Sequence, residues 1–254
     1  MTLNKRLEAL QPEPAKVLTI DIETSPAVVY AWGLYDQRIS TKQVLTPSEI
    51  LCFAAKWQGQ SRTLFHSEWD DGFDEMIEHA WNLLDEADIV VTYNGPSFDN
   101  KVLQRAFLIA GYSPPRPWVN IDLLKVMRKN FKFLSNKLGY VVQELGLDDK
   151  LDTGGMELWT RVMAGEPTAQ KEMATYNRQD VVITEQLLDY LGPWIDGPHA
   201  GLFTGKINNC WSCGSERLTP SGISRTKANA HLMLTCAECG AHSKKMTDGS
   251  TRKA

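Results

Sequence analysis

The chain has 254 residues, a formal net charge of −4, and 43% hydrophobic and 23% charged residues. This composition is typical of a globular protein and excludes a disordered or fibrous chain, and the length allows one enzyme domain with a small accessory module. Residues 1–16 contain no apolar segment of a secretion signal, and no apolar run is long enough to cross a bilayer, so we expect an intracellular, cytoplasmic protein without a membrane partner.

The first predicted element is a strand over residues 17–23, which are rich in β-branched side chains. Apolar runs at 27–35, 51–57 and 62–66 predict that a meander of strands follows. From residue 73 the apolar residues recur at helical spacing, and the short apolar run at 88–93 predicts a buried strand after that helix.

A turn rich in Asn, Gly, Pro and Ser precedes a second predicted helix, which starts near Phe98 and ends at Gly111. A last strand is predicted in VNIDLL, and helical patterns dominate afterwards, with the final helix at about 168–191. Strands followed by helices favour an α/β fold in which helices flank a mixed sheet. A Gly- and Pro-rich linker at 193–205 then separates this domain from the C-terminal residues.

Four acidic residues lie in or beside these apolar segments, where an unpaired charge is costly. Asp21 and Glu23 share one face of the first strand, because alternate side chains of a strand point the same way. Asp99 lies in the first turn of the second helix, and Asp180 follows Tyr176 by one turn on the core-facing stripe of the last helix. Divalent cations such as Mg²⁺ prefer oxygen ligands and neutralise charge on a reacting phosphate, so this set predicts a two-metal site for phosphodiester chemistry.

Each segment alone also allows a structural interpretation. Asp21 and Glu23 could be solvated acids at a strand end, and Tyr176 could form a hydrogen-bonded pair with Asp180 inside a core. Asp122, in VNIDLL, is another acid near the end of a strand. For Asp122 we favour a structural role, or one that supports the metal ligands, over ligation itself.

Three motifs in this order resemble those of the DEDDy branch of the DEDD exonucleases, which are DnaQ-like members of the ribonuclease H-like superfamily. The motifs are D-x-E at Asp21 and Glu23, N-x-x-x-F-D at Asn94, Phe98 and Asp99, and Y-x-x-x-D at Tyr176 and Asp180. They also mark the proofreading exonuclease domain of family B DNA polymerases. The resemblance implies a ribonuclease H-like 3′-5′ exonuclease domain at 17–192, after an N-terminal extension at 1–16.

The resemblance also implies roles for the acidic residues. Asp21, Glu23 and Asp180 would hold one Mg²⁺ or Mn²⁺, Asp21 would bridge to a second ion, and Asp99 would hold that ion directly or through water. Tyr176 would orient the attacking water, because a phenol with a pKa of about 10 is a poor base at neutral pH.

The implied substrate is a nucleic acid with a free 3′ end, which binds near Asn94 and Phe98. Phe98 could stack on a base or, alternatively, belong to the core at the start of a helix. We favour DNA and a role in replication, repair or recombination, although the motif residues do not distinguish DNA from RNA. An exoribonuclease, a non-catalytic nucleic-acid-binding adaptor and a structure-selective endonuclease on the same scaffold are the alternatives.

Four of the five cysteines form two C-x-x-C-G segments: Cys210 with Cys213, and Cys236 with Cys239. In a reducing compartment this pattern favours metal binding over disulfides, and the glycine after each pair permits the positive φ of a tight turn. We predict one structural Zn²⁺ in a zinc ribbon at 206–246, followed by a basic tail at 247–254. Without a metal, the segment would have too little core to fold alone.

Residues 206–254 carry eight Lys and Arg against three acids, although the whole chain is acidic. This charge favours contact of the ribbon with nucleic acid, for which Trp211 could offer a stacking surface, or with a replication or recombination protein. A merely solvated charged surface explains the charge equally well. The spacing makes His231 and His242 surface residues rather than zinc ligands.

Overall fold

A computed structural model describes residues 14–147 and 155–254. Most of the predicted N-terminal extension lies outside the described residues. The strands as far as residue 122 are β1 (Val17–Thr24), β2 (Val28–Val29), β3 (Val44–Thr46), β4 (Ile50–Trp57), β5 (Leu64–Ser67), β6 (Ile89–Thr92) and β7 (Val119–Asp122). The longer helices are α1 (Phe73–Glu86), α2 (Asp99–Ile109), α3 (Leu123–Asn130), α4 (Leu138–Glu144), α5 (Met156–Met163) and α6 (Pro167–Leu191).

Five strands form the main sheet, in the order β5-β4-β1-β6-β7. The neighbours β1, β4 and β5 are antiparallel, whereas β6 and β7 run parallel to β1. Helices cover both faces, and this arrangement confirms the predicted mixed sheet flanked by helices. Within the described residues, every helix is too short or too polar to cross a bilayer.

The alternation of β1 distributes its side chains between the two faces of the sheet. Leu18, Ile20 and Ile22 pack against apolar residues of α1 and α2 in a buried core. Asp21 and Glu23 therefore point to the other face. Helix α6 crosses that face and packs its apolar residues against β4 and β6.

One predicted strand is wrong. Residues 27–35 do not join the main sheet, because β4 occupies the position next to β1 on that side. Within this stretch only Val28–Val29 is a strand, and it pairs with β3 in a separate two-stranded sheet. The apolar residues that follow are exposed to solvent.

The C-terminal residues form a third sheet, which is antiparallel. Its strands are β8 (Leu218–Arg225), β9 (Ala230–Cys236), β10 (His242–Lys245) and β11 (Thr251–Lys253), in the order β11-β10-β9-β8. The prediction of a tail at 247–254 needs correction, because β11 pairs with β10 and so belongs to this sheet.

The predicted linker at 193–205 contains the short helix α7 (Gly201–Thr204) and is in contact with both parts of the chain. Ile195 packs into the core beside α6, and the Ala200 amide donates to the Trp211 carbonyl. The placing of a domain boundary in this segment stays a prediction.

Candidate functional site

Three carboxylates converge beside the central strand of the main sheet. Oxygen atoms of Asp21, Glu23 and Asp180 lie within 4.8 Å of one another. Asp180 is buried on α6, whereas the two residues of β1 are partly exposed. Such a group of carboxylate oxygens matches the ligand preference of a hard divalent cation, so it could hold a metal ion.

The local sheet pairing explains why the two carboxylates of β1 are partly accessible. β1 pairs with β4 as far as Thr24 but with β6 only as far as Thr19. Among the described residues, the last part of β1, which carries Asp21 and Glu23, therefore has no neighbouring strand on its β6 side. Ligands of α/β sheets commonly bind at such an opening beyond the carboxyl ends of parallel strands.

Asp99 fills part of this opening from the first turn of α2. Its Oδ1 accepts a hydrogen bond of 3.2 Å from the Ile22 amide, which lies between Asp21 and Glu23 on β1. Asp99 is buried but is not part of the close group of three carboxylates. Burial raises its pKa to about 6, although the hydrogen bond from Ile22 opposes this shift.

Asn177 holds Asp21 in place, a role that the sequence did not reveal. The buried Asn177 amide Nδ2 donates to Asp21 Oδ2 at 2.8 Å and to the Asp21 carbonyl at 3.2 Å. On its other side, Asn177 Oδ1 lies 4.0 Å from the thiol of Cys52, a residue of β4. In the sequence, Asn177 could have been noticed only from its position three residues before Asp180, because residues three apart lie on the same face of a helix.

Tyr176 lies beside Asp180, as its position one turn earlier on α6 predicts. Its ring packs edge-on against Trp159, and its hydroxyl hydrogen bonds to the Asp180 carboxylate. Burial raises the pKa of Tyr176 well above its usual value, and the nearby carboxylates of Asp180, Glu23 and Asp21 raise it further. Tyr176 is therefore a neutral hydrogen-bond donor at neutral pH.

The turn between β6 and α2 positions the remaining motif residues. Asn94 has a left-handed backbone with φ 78°, and its backbone amide donates to Asp122 Oδ1 at 2.9 Å. Asp122 also caps α3 through the Leu124 amide, so it has the expected structural role. Phe98 ends the turn with 44% of its surface exposed, which excludes the alternative that it belongs to the core.

The four C-terminal cysteines form a second cluster. Their sulfur atoms lie within 4.8 Å of one another, with separations of 3.7 Å between Cys210 and Cys239 and between Cys213 and Cys236. A tetrahedral Zn²⁺ with bonds of about 2.3 Å has sulfur–sulfur edges of about 3.8 Å. These cysteines thus fit a zinc ribbon, whereas the separations are too long for disulfides.

The turns around the cysteines have the predicted geometry. Gly214 and Gly240 have φ of 76° and 73°, and their amides donate to the carbonyls of Cys210 and Cys236. Backbone hydrogen bonds hold the pKa of Cys236 at about 7, although burial acts in the opposite direction. Burial raises the pKa values of Cys210 and Cys213 in the same cluster, so the support for a metal comes from the geometry of the four sulfur atoms.

Trp211 is not a stacking surface, contrary to our expectation. Its side chain is buried, its Nε1 donates to the His242 carbonyl at 2.8 Å, and Lys253 covers its ring. His231 and His242 lie outside the sulfur cluster, and His242 contacts the Thr235 hydroxyl instead.

The chain belongs to the RNase H superfamily, because the RNase_H_2 family model of that superfamily matches residues 18–192. The superfamily supports a nuclease activity that acts on nucleic acid with divalent metal ions. No curated protein matches the chain.

Among solved structures, the family B DNA polymerase from the hyperthermophilic archaeon Pyrobaculum calidifontis is similar, with a TM-score of 0.53 and 19% sequence identity. The similarity covers 80% of this chain but only 26% of the polymerase. At this identity the similarity supports the fold alone. The chain spans about a quarter of the polymerase's length, so the activity of the whole polymerase does not transfer to it.

Proposed function

We propose that this chain is a metal-dependent 3′-5′ exonuclease of the DEDDy branch. The main support is the convergence of Asp21, Glu23 and Asp180, whose oxygen atoms lie within 4.8 Å, at the open end of β1. Three carboxylates so close together repel one another, and a bound cation removes that repulsion.

Asp21, Glu23 and Asp180 are the proposed ligands of one Mg²⁺ or Mn²⁺. Asp99, which lies against the Ile22 amide, is the proposed ligand of a second ion that Asp21 shares. The bound ions would supply charge stabilisation for the reacting phosphate.

The remaining polar residues have supporting roles in this proposal. Tyr176 stays protonated at neutral pH, so it orients a water molecule by hydrogen bonding and does not accept its proton. Asn177 fixes the rotamer of Asp21. Asn94 and the half-exposed Phe98 lie on the turn that leads to Asp99, where they would contact the terminal nucleotide.

The reaction proposed is hydrolysis of the last phosphodiester at a 3′ end, with release of a nucleoside monophosphate. DNA is the favoured substrate. The four clustered cysteines are the proposed ligands of one structural Zn²⁺, because four thiolates leave no open coordination position for chemistry.

The test compares the wild-type protein with Asp21→Asn and Asp180→Asn on 5′-labelled single-stranded DNA, duplex DNA and RNA with Mg²⁺. We expect each variant to hydrolyse the substrate more than about a hundredfold more slowly, because the loss of a metal ligand removes several kcal/mol of charge stabilisation from the reacting phosphate. Glu78→Gln, on the exposed face of α1, is the matched acid-to-amide control and should keep full activity.

Circular dichroism should show that all three variants are folded. A 3′-5′ exonuclease shortens the labelled strand stepwise from its 3′ end and leaves circular single strands intact. Full activity in both site variants would rule out the proposed ligands, and cleavage of circles would favour the endonuclease alternative.

A further inference from the structure

A group of large apolar side chains projects into solvent from the segment between β2 and β3. We call residues 30–43 the aromatic loop. Trp32 is 97% exposed, Tyr35 83% and Tyr30 67%, and Leu34 is 92% exposed. Single exposed apolar residues are ordinary, but such a cluster within six residues indicates a binding surface.

The base of the aromatic loop is hydrogen-bonded rather than open. The Tyr30 amide donates to the Gln43 carbonyl at 2.8 Å, and Gln43 Nε2 donates back to the Tyr30 carbonyl at 2.9 Å. Gln43 Oε1 also accepts from the Ser40 amide at 3.0 Å. This closure fixes the ends of the loop, so less conformational entropy is lost when the loop binds a partner.

The aromatic loop starts a short way along the chain from the carboxylate cluster. Tyr30 follows Glu23 by seven residues, a separation of at most about 25 Å even in a fully extended chain. Ser25 and Glu49 join the end of β1 to the start of β4 by hydrogen bonds of 2.8 and 3.0 Å, and this fixes where the loop leaves the domain. A stacked strand of about seven nucleotides covers the same distance.

The charge of the loop favours a polyanion. Arg38 and Lys42 are exposed, and Asp36 is the one acid among residues 30–43, although the chain as a whole is acidic. Aromatic rings beside basic side chains are the usual surface for single-stranded nucleic acid, because every base has a face on which a ring can stack.

We propose that the aromatic loop binds the single strand of the substrate upstream of its 3′ end, with Trp32 and Tyr35 stacked on bases and Arg38 and Lys42 near phosphates. This inference rests on the proposed exonuclease function, since it assigns the loop to the same substrate. The loop sets how tightly a long strand binds, and the carboxylate cluster sets the chemistry.

The first experiment measures binding of fluorescein-labelled dT20 and rU20 by anisotropy, with phosphorothioate linkages at the 3′ end to prevent hydrolysis. The double variant Trp32→Leu/Tyr35→Leu keeps apolar side chains but removes stacking, and it should bind at least about tenfold more weakly. Trp32→Phe/Tyr35→Phe keeps the rings and should stay within about twofold of the wild type.

Leu108→Ala/Ile109→Ala is the matched control, because it removes exposed apolar surface from α2, outside the loop. Unchanged binding by the leucine variant would overturn the proposal. Sedimentation could also overturn the proposal. If the wild type is a dimer and Trp32→Ala/Tyr35→Ala is a monomer, the loop is an interface between two copies of the chain.

The second experiment separates the loop from the chemistry. Thymidine 5′-(p-nitrophenyl phosphate) has one base and no strand upstream of it, so the leucine variant should hydrolyse it with the wild-type kcat/KM but lose kcat/KM on dT20. Equal losses on both substrates would overturn the proposal. If the wild type hydrolyses neither substrate, the exonuclease function fails, while the binding data still decide whether the loop binds single strands.

Discussion

A neutral side chain, Asn177, controls the geometry of the charged residue at the centre of the proposed site. Its amide contacts both the carboxylate and the carbonyl of Asp21, so the rotamer and the backbone of this residue are fixed together. Residues that orient metal ligands in this way commonly change metal affinity by 10- to 100-fold when they are lost.

We therefore expect Asn177→Leu, which keeps the volume but loses both hydrogen bonds, to require about 10- to 100-fold more Mg²⁺ or Mn²⁺ for half-maximal nuclease activity. Titration of activity and calorimetric titration of metal binding measure this shift. Cys52→Ala is the control, because it changes the other side of Asn177 and leaves the contact with Asp21 intact. Identical metal dependence in Asn177→Leu and the wild type would contradict this role.

The buried carboxylate of Asp99 links stability to pH. Its pKa is raised from 3.8 to about 6, so the folded state binds the proton more tightly than the unfolded state. Its contribution to stability is fully present below about pH 4 and is lost as the pH rises through about 6. At neutral pH without divalent cations, the ionised Asp99 therefore destabilises the fold.

Asp99→Asn should stabilise the metal-free protein at pH 7 by about 1–3 kcal/mol, with a much smaller gain near pH 4. Denaturant unfolding at several pH values measures this difference. Mg²⁺ should stabilise the wild type more than the variant, since the variant lacks the charge of a proposed ligand. A metal-free Asp99→Asn protein that is less stable than the wild type at pH 7 would contradict the argument, and Glu78→Gln should change little.

At the scale of elements, periodicity predicted the regular parts of the fold. The strand at 17–23, the helix from residue 73 and the helix at about 168–191 correspond to β1, α1 and α6. Each buries one face, so its apolar spacing is visible in the sequence. The position of Asp180 on the inward stripe of α6 was predictable for the same reason.

The predictions from the sequence are wrong or incomplete where contacts between distant segments decide the structure. Residues 27–35 have strand-like composition, but strand propensity reflects the fit to a half-buried sheet, and β4 already pairs with β1 there. The bond from Asn177 to Asp21 joins residues 156 positions apart, and no local pattern reports such a contact. The sequence predicts an exposed Trp211, because the residues that cover it, His242 and Lys253, lie on strands far along the chain.

In the whole molecule, several hydrogen bonds join the C-terminal residues to the end of α6 and to the segment at 193–205. Asp196 accepts from Lys129 of α3 and from Lys253 of β11, and the Ser212 hydroxyl donates to the Gly192 carbonyl at 3.1 Å. The apolar core of the cysteine module is small and separate from the cores of the main sheet. The two parts should therefore respond differently to loss of a metal.

Removal of the proposed Zn²⁺ by a strong chelator should unfold the C-terminal sheet and leave the main domain folded, because the metal would replace the core that this module lacks. Limited trypsin digestion should then cut first at Arg217, Arg225 and Lys227, and Trp fluorescence should shift to the red as the buried Trp211 meets water. Added Zn²⁺ should restore resistance, and chelator loaded with Zn²⁺ beforehand is the control. Equal resistance with and without the chelator, in protein shown to have lost its zinc, would mean that the module folds without a metal.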